Sequence, residues 1–262
     1  MDDTYLQQYL TLAPVPLGLI RAVDCRHIGR VPLGGKILDA GCGDGLLARI
    51  LFKNTEGKVI TGIDHDPGEL KKARSLGIYH DLIACEITAI PFKNNTFDHV
   101  LSNSVLEHVT DIDQALAELA RVLKPGGTLV FTVPSEYLSE HFLFGRIFRL
   151  IGFKQLSVMY ARLKHRIWHH EHIDSMAIWT RRLQENNFDI LDRKYIHPRS
   201  VTEICDLFTF SGACSMLWRK LFGRLLLFPS SLRGKVMARW FKRFYVMDEE
   251  TGSTLFFVAR KK

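Results

Sequence analysis

Apolar stretches of strand length alternate with segments of helical periodicity between residues 35 and 133. This alternation is typical of a parallel sheet whose strands are joined by crossover helices. The predicted strands are residues 35–40, 58–63, 80–85, 97–102, 127–133, 188–196 and 253–259. The predicted helices are residues 45–54, 67–76, 111–123 and 173–187. We therefore expect an α/β fold.

Two long segments interrupt the alternation, at about 135–171 and 197–250. Both fall between predicted core elements, so we interpret them as cap insertions, and loops on a rigid scaffold often carry specificity. Residues 4–30 have a mostly helical pattern. We therefore predict an N-terminal helical cover over residues 1–30 and a main domain over residues 31–262 that carries both insertions.

A glycine-rich turn, Leu-Asp-Ala-Gly-Cys-Gly-Asp-Gly over residues 38–45, joins the first predicted strand to the first helix. Its glycines alternate at Gly41, Gly43 and Gly45. Glycine permits a positive φ and a close approach of the backbone to a ligand. Such a turn is typical of a nucleotide-like cofactor site. Leu46 stands where a dinucleotide fingerprint needs its third glycine, and no Lys-Ser/Thr pair completes a phosphate loop.

Further motifs follow this turn in chain order, and together they resemble a known family. They are the strand ending in an acid at 59–64, the stretch 84–87, the strand-four motif 96–109 and its continuation at 118–127. The resemblance is to the class I S-adenosylmethionine-dependent methyltransferases, in the large group that includes ubiquinone and menaquinone methyltransferases. It implies a Rossmann-like, seven-stranded mixed sheet with the last strand antiparallel and helices on both faces. It also implies S-adenosylmethionine as the cofactor.

The resemblance implies a set of cofactor-binding residues. The set is Asp39, Gly41, Cys42, Gly43, Gly45, Asp64, His65, Glu86, Ile87, Ser102, Asn103 and Leu106. Asp64 lies about twenty residues beyond the glycine turn, where its carboxylate can accept two hydrogen bonds from a ribose diol. The alternative role is the N-cap of the next helix, which Asp66 could equally supply. His65 could pack on the cofactor or be exposed.

The third and fourth motifs imply the remaining contacts with the cofactor. Glu86 is expected near the adenine amino group, with Ile87 covering the ring. The backbone near Ser102 and Asn103 is expected to receive the methionine amino group, and Leu106 to pack near the cofactor.

His108 and Glu107 follow the fourth strand, where the methyl group should point. His108 is the first candidate for a general base and Glu107 the second, and the alternative is that the pair holds the helix edge and lid. Ubiquinone O-methyltransferases bind a divalent cation through a Glu-x-x-Glu-His stretch. Ser104 replaces the first of those carboxylates, so we predict no metal site. His172 is a candidate lid or substrate-facing residue, with a metal ligand or a surface residue as alternatives.

The net charge of +7 is unevenly distributed. Residues 141–170 hold six cations and residues 207–247 hold eight, without any acid, so the rest of the chain sums to −7. In both segments the cations alternate with Leu and Phe, as in 142–151 and 217–228. Amphipathic helices of this kind bind anionic membranes peripherally. The alternatives are a cap with solvated cations and, less favoured because of the many Leu and Phe residues, nucleic acid.

The remaining signals concern location and activity. No apolar run reaches the roughly 18 residues of a spanning helix, and the acidic start lacks the basic region of a signal peptide. The five cysteines include no C-x-x-C pair. We expect a cytoplasmic protein, peripheral on the inner membrane face, that methylates a small or lipid-like acceptor. An RNA methyltransferase and a non-catalytic cofactor-binding partner protein remain as alternatives, and no oligomeric state is predicted.

Overall fold

The computed structural model describes residues 4–54, 56–222, 225–226 and 229–262. The chain divides into two compact units. The sheet unit comprises residues 28–136, 170–194 and 255–262. The helical unit comprises residues 1–27, 137–169 and 195–254. The second basic segment is described in part, because its residues 223–224 and 227–228, Arg224 among them, lie outside the described residues.

The sheet contains seven strands within the described residues. They are β1 (Gly35–Ala40), β2 (Lys58–Asp64), β3 (Asp81–Ala84), β4 (Phe97–Asn103), β5 (Leu123–Pro134), β6 (Phe188–Ile196) and β7 (Thr254–Lys261). Their order across the sheet is β3-β2-β1-β4-β5-β7-β6. The first five strands pair in parallel. The last strand is antiparallel, and the amide of Lys262 donates to the carbonyl of Asn187 at the opposite end of β6. The predicted Rossmann-like mixed sheet is confirmed.

Twelve α-helices are formed by the described residues. They are α1 (Thr4–Leu12), α2 (Val15–Ile28), α3 (Leu46–Leu51), α4 (Pro67–Arg74), α5 (Ile112–Val122), α6 (Leu138–His141), α7 (Leu143–Leu150), α8 (Lys154–Ile167), α9 (Met176–Glu185), α10 (Arg199–Leu207), α11 (Thr209–Phe222) and α12 (Ser231–Val246). A short 3-10 turn covers Leu106–His108, just after β4. None of the described helices is long and apolar enough to cross a membrane.

The strand order creates a switch point between β1 and β4, at the carboxyl ends of these strands. From β1 the chain moves outward to β2 and β3 and then returns to form β4 on the other side of β1. The connections that leave β1 and β4 therefore run in opposite directions, and ligands bind at the carboxyl ends of strands that flank such a switch point. The glycine turn follows β1, and the 3-10 turn follows β4.

Buried apolar side chains hold the helices of the sheet unit in place. Helix α5 begins at the cap Asp111, whose carboxylate accepts a hydrogen bond from the amide of Gln114 at 3.0 Å. Its Ile, Leu and Val residues recur at helical spacing and are all buried. Near the other edge, Phe131 of β5 stacks on Phe257 of β7 with ring centroids 5.1 Å apart, and Trp179 of α9 lies 5.5 Å from Phe131. This packing fixes the carboxyl ends of the central strands.

Within the helical unit, α1 packs against α12 and α7 against α8. Helix α10 contacts α6, α7, α11 and α12. The predicted N-terminal cover and both predicted insertions contribute to this unit. Their role as a cover and as caps over a substrate pocket stays a prediction.

Most predicted elements lie within two or three residues of the observed ones, and β5 and α3 differ most. Strand β5 begins at Leu123 rather than 127, because Leu123 pairs with Phe97 before an irregularity in the register. Helix α3 ends at Leu51 rather than 54.

Candidate functional site

The glycine turn after β1 is anchored to β2 by its backbone. The amides of Gly41 and Cys42 both donate to the carbonyl of Ile63, at 2.8 and 2.9 Å. Gly41 has a φ of 79°, and a Cβ there would overlap the side chain of Val105. Gly43 has a φ of 53°, and a Cβ there would meet no heavy atom of the described residues within 4 Å. The turn therefore needs glycine at 41 for packing and leaves space at 43 for a ligand.

Gly45 closes the turn at the start of α3. It has a φ of 76°, and a Cβ there would lie 2.9 Å from the ring of Tyr79. All three glycines of the motif are thus in the left-handed region that favours glycine.

Asp64 ends β2 beside this turn. Its Oδ2 accepts a hydrogen bond from the amide of Gly43 at 2.8 Å, and its Oδ1 accepts one from the amide of Asp66 at 2.9 Å. The N-cap of α4 is Asp66, which accepts from the amide of Gly68 at 2.7 Å, so the alternative role weighed for Asp64 belongs to Asp66. Each oxygen of Asp64 keeps acceptor capacity, since an ionised carboxylate has about four lone-pair sites.

Asp39 lies inside the protein at the end of β1, with 4% of its surface exposed. The hydroxyl of Tyr79 donates to its Oδ2 at 2.7 Å. Burial raises the pKa of Asp39 to about 6, the Tyr79 hydrogen bond opposes this rise, and the charge of Asp64 adds to it. Asp39 therefore supports the turn from within. Sequence reasoning missed Tyr79, because it lies 40 residues from its partner and belongs to no recognised motif.

Cys42 and His65 flank the two acidic residues. Cys42 is buried, and burial raises the pKa of its thiol, while its predicted contact with the cofactor stays a prediction. The imidazole of His65 is 74% exposed, with Nδ1 3.5 Å from Oδ1 of Asp64. Packing of His65 on the cofactor stays a prediction.

Glu86 and Ile87 follow β3, next to Asp64. The amide of Cys85 donates to the carbonyl of Asp64 at 3.1 Å, which extends the pairing of β2 and β3 up to this point. Glu86 is exposed, whereas Ile87 is buried. A solvent-accessible carboxylate and an apolar side chain thus lie at the carboxyl end of β3, as their predicted roles require.

Ser102 and Asn103 end β4 with their side chains directed inward. The hydroxyl of Ser102 is fully buried and has no hydrogen-bond partner among the described residues. Oδ1 of Asn103 accepts a hydrogen bond from the hydroxyl of Thr132 at 3.0 Å. Leu106 is fully buried. The expected contact of the backbone at this strand end with the methionine moiety stays a prediction.

Glu107 and His108 lie on the 3-10 turn beyond β4. Glu107 is buried, whereas the imidazole of His108 is 40% exposed, with Nε2 3.8 Å from Oε1 of Glu107. The rings of His108 and His170 lie 5.6 Å apart. The carbonyl of Glu107 accepts hydrogen bonds from the amides of Glu171 and His172, at 2.8 and 3.1 Å. Two distant parts of the sequence are therefore joined at this turn.

His172 holds this junction through its side chain. Its Nε2 donates to the carbonyl of Val109 at 3.0 Å, and its Nδ1 lies 3.6 Å from the carboxylate of Asp174. Asp174 in turn pairs with Arg182 at 2.6 Å. These contacts give His172 a role in positioning residues 170–174. Its predicted contact with substrate stays a prediction.

The described part of the chain contains no group of three or more His, Cys, Asp and Glu side chains that could hold a metal ion. The helical unit contains a cavity of about 400 Å³, whose lining includes Tyr137, His141, Arg149 and Arg199.

The edge of the sheet fits an adenosyl cofactor on three observations. Space is open at Gly43, Asp64 keeps acceptor capacity for a diol, and the buried hydroxyl of Ser102 has no described partner. Asp64, Glu86 and the backbone at the end of β4 would hold the ribose, the adenine and the methionine moiety.

A family model for a methyltransferase domain matches residues 38–131. The malonyl-[acyl-carrier protein] O-methyltransferase of Serratia marcescens is 36% identical over 99 residues, which are 38% of each chain. The demethylmenaquinone methyltransferase of Tropheryma whipplei is 34% identical over 127 residues, 47% of this chain and 52% of the relative. The chain thus spans about two fifths to one half of the length of these curated relatives.

The fold also resembles solved structures over most of its length. The crystal structure of the [4+2]-cyclase SpnF is 20% identical and has a TM-score of 0.59, over 92% of this chain and 80% of the other. Likeness at this level concerns the fold alone, since one fold hosts many reactions. The family match is more specific, because it contains the glycine turn and the ends of β1, β2, β3 and β4. Residues 38–131 therefore match a methyltransferase domain, and the family match and the fold together support a class I S-adenosylmethionine-dependent methyltransferase with S-adenosylmethionine as its cofactor.

Proposed function

We propose that this chain transfers the methyl group of S-adenosylmethionine to a small or lipid-like acceptor. The cofactor supplies a methyl group bonded to a sulfonium, which is activated for in-line displacement. The protein must orient the donor, position the acceptor and accept any proton that the acceptor loses. The geometry of Asp64, beside the open space at Gly43, is the observation that carries this proposal.

Binding of the cofactor is assigned to the three neighbouring strand ends. Asp64 would accept hydrogen bonds from the two ribose hydroxyls while keeping its bonds to Gly43 and Asp66. Glu86 would accept a hydrogen bond from the adenine amino group, with Ile87 against the ring. The backbone at the end of β4 would contact the methionine moiety.

Proton transfer is assigned to His108. Its imidazole is partly exposed beyond β4, and the buried carboxylate of Glu107 lies 3.8 Å from its Nε2. A neighbouring carboxylate stabilises an imidazolium, so the pair can hold a proton that leaves the acceptor. Glu107 would then position His108 rather than act on the acceptor itself.

The acceptor class is supported by the relatives. Their names specify a malonyl group on an acyl carrier protein and a demethylmenaquinone. No described contact favours RNA as the acceptor, and exposed Leu residues on the basic helices are unlike the polar groups that contact phosphates. Cytoplasmic location and contact with an anionic membrane stay predictions.

The proposal is tested with methyl-labelled S-adenosylmethionine and two acceptor pools, a total lipid extract and a water-soluble metabolite extract. We expect label in a product of one pool. His108→Ala should lower the rate about 100-fold or more while cofactor affinity is unchanged, because a general base acts only in the reaction.

His80→Ala is the matched control. His80 is an exposed histidine at the amino end of β3, whereas the proposed site lies at the carboxyl ends of the strands. The turnover of this variant should equal that of the wild type. If the wild type binds the cofactor but transfers label to neither pool, the result would favour a non-catalytic cofactor-binding protein. If His108→Ala keeps full activity, His108 is not the general base.

A further inference from the structure

Helix α8 exposes an apolar stripe, and the two residues that it buries are polar. Leu156, Met159, Leu163 and Ile167 recur at spacings of three and four residues and therefore share one side of the helix. Between 41% and 63% of each of these residues is exposed. The buried residues of the helix are Ser157 and Lys164. This arrangement is the reverse of that in an ordinary amphipathic surface helix.

A buried ion pair fixes this orientation within the helical unit. Nζ of Lys164 lies 2.9 Å from Oδ1 of Asp206 on α10, and both side chains are almost fully buried. Lys164 also donates to the hydroxyl of Thr209 at 3.0 Å and lies 4.6 Å from the ring centroid of Trp168. Turning the apolar stripe inward would separate this pair and leave buried charges without partners, which is strongly unfavourable.

Three more exposed apolar residues lie at the end of α7 and in the turn that leads to α8. Leu150, Ile151 and Phe153 are 81%, 60% and 60% exposed. Single exposed apolar residues are common, but these three and the four of the stripe, all within residues 150–167, point to an interaction surface. We call the four residues of the stripe and these three residues the α8 face.

The exposed charges of the segment from α7 to α8 are all positive. Arg149, Lys154, Arg162 and Arg166 are exposed, and none of them forms an ion pair with a described residue. The whole segment 141–170 contains no Asp or Glu. The surface therefore combines an apolar stripe with cations that have no acidic partner in the described chain.

We propose that the α8 face docks on an anionic lipid bilayer. Helix α8 is about 21 Å long at 1.5 Å per residue, so it would lie along the interface with its stripe among the upper acyl chains. Arg162 and Arg166, each one residue before a member of the stripe, would contact lipid phosphates. A second copy of the chain fits less well, because the same surface would bring cations against cations. This inference does not depend on methyl transfer.

The experiment is co-sedimentation of the full chain with vesicles, without cofactor. One set contains phosphatidylglycerol in phosphatidylcholine, and the other contains phosphatidylcholine alone. We expect binding to the first set that weakens as salt is raised, because exposed charges are screened. The stripe variant Met159→Glu/Leu163→Glu and the cation variant Arg162→Gln/Arg166→Gln should each lower that affinity at least about tenfold.

The matched control is Val59→Glu/Leu191→Glu, which makes the same kind of change at two exposed apolar sites of the sheet unit. It should bind vesicles nearly as the wild type does. Circular dichroism checks the fold of each variant. If the stripe variant unfolds, vesicle binding by the cation variant tests the proposal.

Three results would overturn the proposal. The first is that the wild type binds both vesicle types equally or binds neither. The second is that the stripe variant and the cation variant both bind vesicles as the wild type does. The third is that the chain associates with itself through the stripe and does not bind lipid. Sedimentation velocity detects the last of these.

Discussion

Helices α5 and α8 are both amphipathic, yet they use their apolar faces in opposite ways. The Ile, Leu and Val residues of α5 are buried, and the helix packs against β5. The apolar stripe of α8 is exposed, and the helix is held through Lys164 on its polar side. Periodicity therefore predicts that a helix has an apolar face. Whether that face is buried or exposed depends on the contacts that hold the other side of the helix.

The contrast predicts very different costs for the same substitution. Leu116→Ala on α5 should lower the free energy of unfolding by about 2–5 kcal/mol, because it removes fully buried methyl groups and leaves a cavity. Leu163→Ala on α8 should change it by no more than about 0.5 kcal/mol, since that side chain is half exposed. Urea denaturation measures both. A similar cost at the two sites would show that α8 buries its stripe in solution.

The two units also differ in how they hold a buried carboxylate. Asp206 in the helical unit faces the ammonium of Lys164, whereas Asp39 in the sheet unit faces the neutral hydroxyl of Tyr79. Without a cation to oppose burial, the pKa of Asp39 rises from 3.8 to about 6. The folded state therefore keeps a proton that the unfolded chain has already released between these values, and stability falls as the pH rises through this window.

Asp39→Asn sharpens this second contrast. Asparagine keeps an acceptor for Tyr79 but cannot ionise, so the variant should gain up to about 3 kcal/mol of stability relative to the wild type between about pH 4 and pH 7. Denaturation at several pH values provides the measurement. Asp81→Asn, at an exposed carboxylate, should show no gain of that size. A constant difference between Asp39→Asn and the wild type would contradict the raised pKa.

The sequence predicted the sheet well where turns mark its strands. Strands β1 and β6 occupy the predicted residues, and β6 lies between Asn187, with a φ of 63°, and Pro198. The start of β5 was missed because Leu123 enters the sheet directly after α5, with no turn between them. A local sequence pattern therefore locates the end of a strand only where a turn marks it.

The residues of the proposed site come from the sequence alone, whereas the contacts that support them do not. Spacing identified Asp64 and the glycines, because short loops bring these positions to one sheet edge. The hydrogen bond from Tyr79 and the contacts of His172 depend on pairings across many residues, which no local motif encodes. The outward orientation of α8 depends likewise on Asp206, 42 residues after Lys164 in the sequence.

The most direct test of the central claim is calorimetric titration of S-adenosylmethionine into the wild type, Asp64→Ala and Asp66→Ala. Both variants remove a carboxylate near the start of α4, but only Asp64 is assigned to the ribose, while Asp66 caps the helix. Asp66→Ala should cost about 1 kcal/mol of stability and leave affinity nearly unchanged. Asp64→Ala should weaken binding at least about 100-fold, through the loss of two charged hydrogen bonds. Failure of the wild type to bind, or equal affinity of Asp64→Ala and the wild type, would contradict the account.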